Sequence, residues 1–183
     1  MKVIQTWYKG ILFRSRTEAR WAVFFDKLNI KWDYELEGFI LEDGTHYLPD
    51  FHLPTFEDGM YVEVKGKFNQ QERELCRDFC YESGNKILLA EGIPAIKEYL
   101  FLVKDWLNNC VSYFTGLPNA NVAEYENRMF AETGLSNVET QEIRPENLDQ
   151  LNVEYLAAIR DARSARFEHG ESGGYPKIPY TNT

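Results

Sequence analysis

The stretch Tyr61-Val62-Glu63-Val64-Lys65-Gly66 sets a carboxylate and an ammonium two residues apart, with a valine between them. Val62 and Val64 alternate with Tyr61, Glu63 and Lys65, the period of a strand with one face in a core. Residues i and i+2 share a side, so Glu63 and Lys65 project together from the other face. If that face meets water, the pair means little. If a helix covers it, both charges are costly unless they have a task. Asp50, introduced by Pro49, falls in the preceding strand-like segment. A hairpin-like connection can bring it level with Glu63, since paired strands lie about 4.8 Å apart. Two carboxylates at that range repel unless a divalent cation sits between them, and hard oxygen ligands suit Mg²⁺. A lysine beside them could hold a phosphate oxygen or orient a water molecule. Phosphodiester hydrolysis needs these parts: a metal to generate hydroxide, and positive charge for the transition state.

The elements that must position these residues follow from periodicity and turn chemistry. Residues 2–13 read as two short strands around Lys9-Gly10. Ser15 and Glu18 form an S-x-x-E capping box, and Trp21, Phe24, Phe25 and Leu28 then fall at helical spacing. Strands are expected over 31–39 and 46–53, joined by a turn at Asp43-Gly44, and a third strand over 59–66. Residues 69–84 predict an amphipathic helix with Leu75, Cys76, Phe79 and Cys80 on one stripe and Gly84 as its C-cap. Lys86–Ala90 suits a buried strand, parallel to the third because the intervening helix makes a βαβ crossover. The expected core order is α-β-β-β-α-β, an α/β fold with a mixed sheet flanked by helices. Beyond Pro94, residues 95–107 and 153–167 read as helices, with a short helix around 122–132 and a flexible tail from 170. The domain reading is a core over 1–92, a mostly helical and irregular extension over 93–169 that packs on it, and a tail over 170–183.

A hydrophobic content of 44% with 15% aromatic residues in 183 residues argues for one packed domain with a small appendage, against disorder. No apolar run approaches the roughly 18 residues of a membrane span, and the first residues lack a signal-peptide core. Three cysteines without metal-ligand spacing, Cys76, Cys80 and Cys110, read as reduced thiols of a cytoplasmic protein. The net charge of −9 weighs against a nucleic-acid partner. Its distribution softens that: residues 1–40 carry 7 basic against 5 acidic side chains, whereas 41–66 carry 1 against 6. A phosphate backbone would have to meet local patches.

Pro49-Asp50, twelve residues, then Glu63-Val64-Lys65, on a hairpin followed by a βαβ crossover, resembles the PD-(D/E)XK nuclease signature. The run from Phe13 to Gly66 looks most like small nuclease-like proteins of phages and prophages, over about residues 8–90. The resemblance implies a restriction-endonuclease-like core and a Mg²⁺- or Mn²⁺-dependent deoxyribonuclease. Asp50, Glu63 and the Val64 carbonyl would hold the ion, Glu18 would act through water or at a second ion, and Lys65 would position the attacking water. Gln70, at the start of the second helix, matches a position where some members place a glutamine near substrate. DNA is then the implied partner, with phage or host replication or recombination proteins around it, and a dimer would suit double-strand cutting.

Each residue also has a plainer reading. Glu18 is explained as a helix cap, Asp50 as a turn residue, Lys65 as a strand-end lysine and Gln70 as an exposed helix start. Arg14, Arg16 and Arg20, and Arg160, Arg163 and Arg166, cluster on two helices that could clamp phosphates or simply be solvated, Arg160 and Arg163 pairing with Asp161 or Glu168. Trp7 could stack on bases or lie in the core. Two other functions stay open: a nuclease fold that binds DNA or protein without cutting, and an acidic phage inhibitor of a host enzyme.

Overall fold

The computed structural model describes residues 4–54, 56, 59–116 and 153–167. A hairpin of β1 (Thr6–Tyr8) and β2 (Ile11–Phe13) opens the fold, turning at Lys9-Gly10 with φ of 48° and 80°. Helix α1 (Arg16–Lys27) follows from N-cap Ser15 and buries Trp21, Phe24 and Phe25 completely. The segments expected as two continuous strands are four short ones: β3 (Asp33–Tyr34), β4 (Phe39–Ile40), β5 (His46–Tyr47) and β6 (Phe51–Leu53). Glu35, at φ 48°, interrupts the first pair. Pro49, which has no N–H to give a ladder, interrupts the second. β4 and β5 close a hairpin over Asp43-Gly44, and β3 pairs with β6.

β7 (Met60–Lys65), α2 (Gln70–Ser83) and β8 (Ile87–Glu91) form the expected parallel crossover. Helix α2 starts at a reciprocal capping box of Asn69 and Glu72 and stops at Gly84. Gly84 has φ 75°, the left-handed conformation that favours glycine, and a Cβ there would stand 2.7 Å from the exposed Trp106 ring, which would have to shift.

Residues 95–107 do not form the expected helix. β9 (Tyr99–Asp105) pairs antiparallel with β8, and β10 (Cys110–Gly116) pairs with β9. The apolar run Tyr99-Leu100-Phe101-Leu102 is buried throughout, and its neighbours alternate: Tyr99 and Phe101 join one core cluster, Leu100 and Leu102 the other. A run buried on both sides has no polar face from which to read a period. The sheet therefore continues past the boundary expected at residue 92.

The result is an α/β protein with a mixed six-stranded sheet in the order β10-β9-β8-β7-β6-β3. One face carries α1 and α3 (Val153–Ser164), whose Tyr155, Ala158 and Ala162 complete a core with Trp21, Phe25, Phe51, Val62 and Leu88. The other face carries α2, with Cys76, Phe79 and Cys80 against Tyr61, Ile87 and Leu89. All three cysteines are free thiols. Among the described residues, no helix is long and apolar enough to cross a membrane. The helix expected around 122–132 and the tail from 170 lie outside the described residues.

Candidate active site

β7 divides its side chains between the two cores. Val62 and Val64 enter the α1 side, while Tyr61 packs against Phe79 of α2. Glu63 and Lys65 share the side of Tyr61, so the helix-covered face is the one that carries the charges. The register Phe51↔Val62 sets Asp50 beside Glu63 across the β6–β7 pair. Asp50 Oδ2 accepts the Val64 N–H at 2.7 Å, a donor that β6 would otherwise have to satisfy. In an extended strand the N–H and C=O of one residue leave the same edge, so the Val64 carbonyl also faces the Asp50 side.

The acids are recessed: Asp50 is 3% exposed, and Glu63 and Glu18 are each 6% exposed. Burial pushes the Asp50 carboxyl well above the usual carboxylate range, and the nearby Glu63 and Glu18 charges push it further. Lys65 and the Val64 N–H pull the other way without prevailing. Glu63 is held at both oxygens, by the Tyr47 hydroxyl at 2.9 Å and by the Lys65 ammonium at 2.5 Å. Burial lowers the Lys65 pKa, but Glu63 and Asp50 outweigh it and keep the ammonium above its ordinary value.

Glu18 sits at N3 of α1 and satisfies both readings of its sequence. Its backbone N–H donates to Ser15 Oγ at 3.2 Å, as a capping box requires. Its carboxylate accepts from the Ser15 hydroxyl at 2.6 Å, the Tyr34 hydroxyl at 2.6 Å and the Arg14 N–H at 3.1 Å. Arg14 Nη2 lies 3.6 Å from Asp50 Oδ1 and pairs with Glu35. Asp50, Glu63, Glu18, Lys65 and Arg14 thus converge at one end of β6 and β7.

Among the described residues, no group of three or more His, Cys, Asp or Glu is arranged as a metal cluster. In kind the donor set still fits a hard divalent cation. Two buried carboxylates and a carbonyl oxygen lie at one end of β6 and β7, and burial, with the Glu63 and Glu18 charges, holds the Asp50 carboxyl above its ordinary range, a cost that a cation would offset.

The other expected residues lie elsewhere or are otherwise engaged. Gln70 is exposed, and its amide donates to Glu74 at 2.8 Å. Arg16 is half-buried near the start of α1. Arg20 shares a stripe with Val23, Phe24 and Lys27, and its Nε is buried without a hydrogen-bond partner. Arg160 pairs with Asp161 at 3.1 Å, the solvated arrangement. Arg163 donates to the Pro94 carbonyl at 3.3 Å. Arg166 lines a cleft with Tyr8, Lys27 and Asp161. Arg14 is the arginine seen against one of the expected acids, 3.6 Å from Asp50 Oδ1.

Sequence reasoning missed Tyr34, Tyr47 and Glu91. The two tyrosines fix Glu18 and Glu63, and no spacing rule announces them. Glu91 stands opposite Lys65 on β8 and accepts from the Phe68 N–H at 3.1 Å and Arg73 at 3.2 Å, tying the loop after β7 to the sheet. A lone carboxylate ending a buried apolar strand was its available signal. Comparison of the chain with protein-family models, with curated proteins and with solved structures finds no match.

Proposed function

We propose that the chain is a metal-dependent nuclease of the PD-(D/E)XK, restriction-endonuclease-like kind, acting on DNA. One observation carries this reading: Asp50 and Glu63, 3% and 6% exposed, meet on a helix-covered sheet face beside Lys65. Buried acids of like charge are destabilising unless a cation or proton offsets them. Asp50, Glu63 and the Val64 carbonyl are the groups that would hold Mg²⁺ or Mn²⁺, with Glu18 contributing through water. Such an ion supplies Lewis acidity, acidifying a water molecule and offsetting charge that builds on the phosphoryl oxygens.

The chain's own residues do the rest. Lys65, 34% exposed at its side chain, leans on Glu63 and reaches toward solvent, where it can orient an attacking water and neutralise the scissile phosphate. Tyr47 holds Glu63 Oε2, so the carboxylate keeps one orientation. Arg14, half-exposed beside Asp50, is placed to grip a neighbouring phosphate. Hydrolysis would proceed in line.

The test is cleavage of supercoiled plasmid and short single-stranded DNA with Mg²⁺ or Mn²⁺. Glu63→Ala and Lys65→Ala should each lower cutting by about 100-fold or more. Undiminished cutting in both folded variants would remove this site from the chemistry. A second reading, a nuclease fold that binds without cutting, is favoured by the Lys65–Glu63 pair, which neutralises one acid without an ion. It expects no cutting of any substrate by the wild type.

A further inference from the structure

The hairpin of β1 and β2 is half in the core and half out. Tyr8 and Phe13 are buried, whereas Trp7 is 47% exposed and Leu12 is 39% exposed. Trp7 and Leu12 are cross-strand partners, so the two apolar side chains stand side by side on the outer face. Leu12 and Arg14 are both exposed, Arg14 standing just past the end of β2 and about 7 Å or less further along the chain. Arg14 in turn lies 3.6 Å from Asp50 Oδ1. An indole, an aliphatic side chain, a guanidinium and the recessed acids therefore form one continuous track.

This track has the wrong composition for a solvated hairpin. It also lies in the part of the chain, residues 1–40, where basic side chains outnumber acidic ones 7 to 5 in a protein of net charge −9. An unpaired strand suits it. Its phosphates would meet Arg14 and Lys65, and a base one or two nucleotides away would lie on the indole. The acids are only 3–6% exposed, so the scissile phosphate must be presented into a recess, which a flexible strand does more readily than a duplex.

We propose that Trp7 and Leu12 form a base-stacking platform, and that the substrate of the site is unpaired nucleic acid threaded past Arg14. This rests on the nuclease reading and names its substrate class. A Trp7–base stack should be worth a roughly ten- to hundredfold change in affinity.

The experiment is fluorescence anisotropy of a labelled oligo-dT strand and of a labelled duplex of equal length, in EDTA so that nothing is cut. The full chain is compared with Trp7→Ala and Trp7→Phe, with circular dichroism and Tm confirming the fold. Trp7→Ala should weaken single-strand binding roughly ten- to hundredfold, Trp7→Phe should restore most of it, and duplex binding should be weaker and indifferent to both. Equal effects on strand and duplex, or no effect on either, would overturn the platform. If the wild type cuts DNA with Mg²⁺ yet Trp7→Ala binds normally, only the platform falls. If the wild type neither binds nor cuts, the nuclease reading falls with it.

Discussion

Among the described residues, α1 and α2 each start at a cap residue followed three positions later by a glutamate, and the two glutamates are used differently. At the start of α2, Asn69 and Glu72 satisfy each other: the Glu72 N–H donates to Asn69 Oδ1 at 2.9 Å, and the Asn69 N–H donates to Glu72 at 2.8 Å. At the start of α1, Ser15 accepts from the Glu18 N–H, but the Glu18 carboxylate takes no bond from the Ser15 backbone. It accepts instead from the Ser15 and Tyr34 hydroxyls and the Arg14 N–H, at 6% exposure and within electrostatic reach of Asp50. The same four-residue pattern makes a surface cap in one place and a buried acid beside a candidate active site in the other. What separates them is the partner of the carboxylate: the Tyr34 hydroxyl of β3 for Glu18, the backbone N–H of its own cap residue for Glu72. A motif fixes backbone geometry, and tertiary neighbours decide whether its side chain is free for chemistry.

The contrast can be broken most sharply at activity. Glu18→Gln should lower metal-dependent cleavage by about ten- to a hundredfold, the usual cost of losing a group that supports metal ligands. Glu72→Gln should leave it nearly unchanged, as plasmid-nicking rates would show. Equal losses in the two variants would mean that Glu18 matters only as a cap.

Stability should separate the acids next. Asp50 has a folded pKa above its unfolded value, so the folded state binds the proton more tightly. The contribution of Asp50 to stability in EDTA is then largest below the ordinary carboxylate range and is lost as pH rises through the raised Asp50 value. Asp50→Asn removes the buried charge while its amide oxygen can still accept the Val64 N–H. It should raise stability at neutral pH by about 1–2 kcal/mol and flatten that pH dependence, measured by urea unfolding at several pH values. The smallest effect is at the surface box: Glu72→Gln should cost about 0.5 kcal/mol or less, on the scale of an exposed cap interaction.

Much of this arrangement was legible in the sequence, and the limits have physical causes. The crossover from β7 through α2 to β8 announced itself through an alternating strand, a helical stripe ending in Gly84 and a short apolar run. Asp50, Glu63 and Lys65 could be set on one face because strand parity is strict. Glu18 could be named but not assigned, since capping and acid roles use the same atoms. The second strand pair, β9 and β10, was hidden because Tyr99–Leu102 is buried on both faces and has no period to read. Tyr47 and Tyr34 were invisible for another reason: they reach Glu63 and Glu18 from short strands that Pro49 and Glu35 interrupt, so parity could not be carried along the chain to them. The arginines of α3 show that a regular spacing leaves the partner open: Asp161 takes up Arg160, as the solvated reading allowed, and the Pro94 carbonyl takes up Arg163.

Everything turns on whether the acids around Asp50 form a cation site. Calorimetric titration of Mn²⁺ into the wild type and Asp50→Asn, at pH 6 and pH 8 in two buffers of different ionisation enthalpy, addresses that directly. The expected result is one ion bound by the wild type, more weakly at pH 6, with proton release, and no binding by Asp50→Asn. Identical titrations for the two proteins, or no heat from the wild type at either pH, would contradict it.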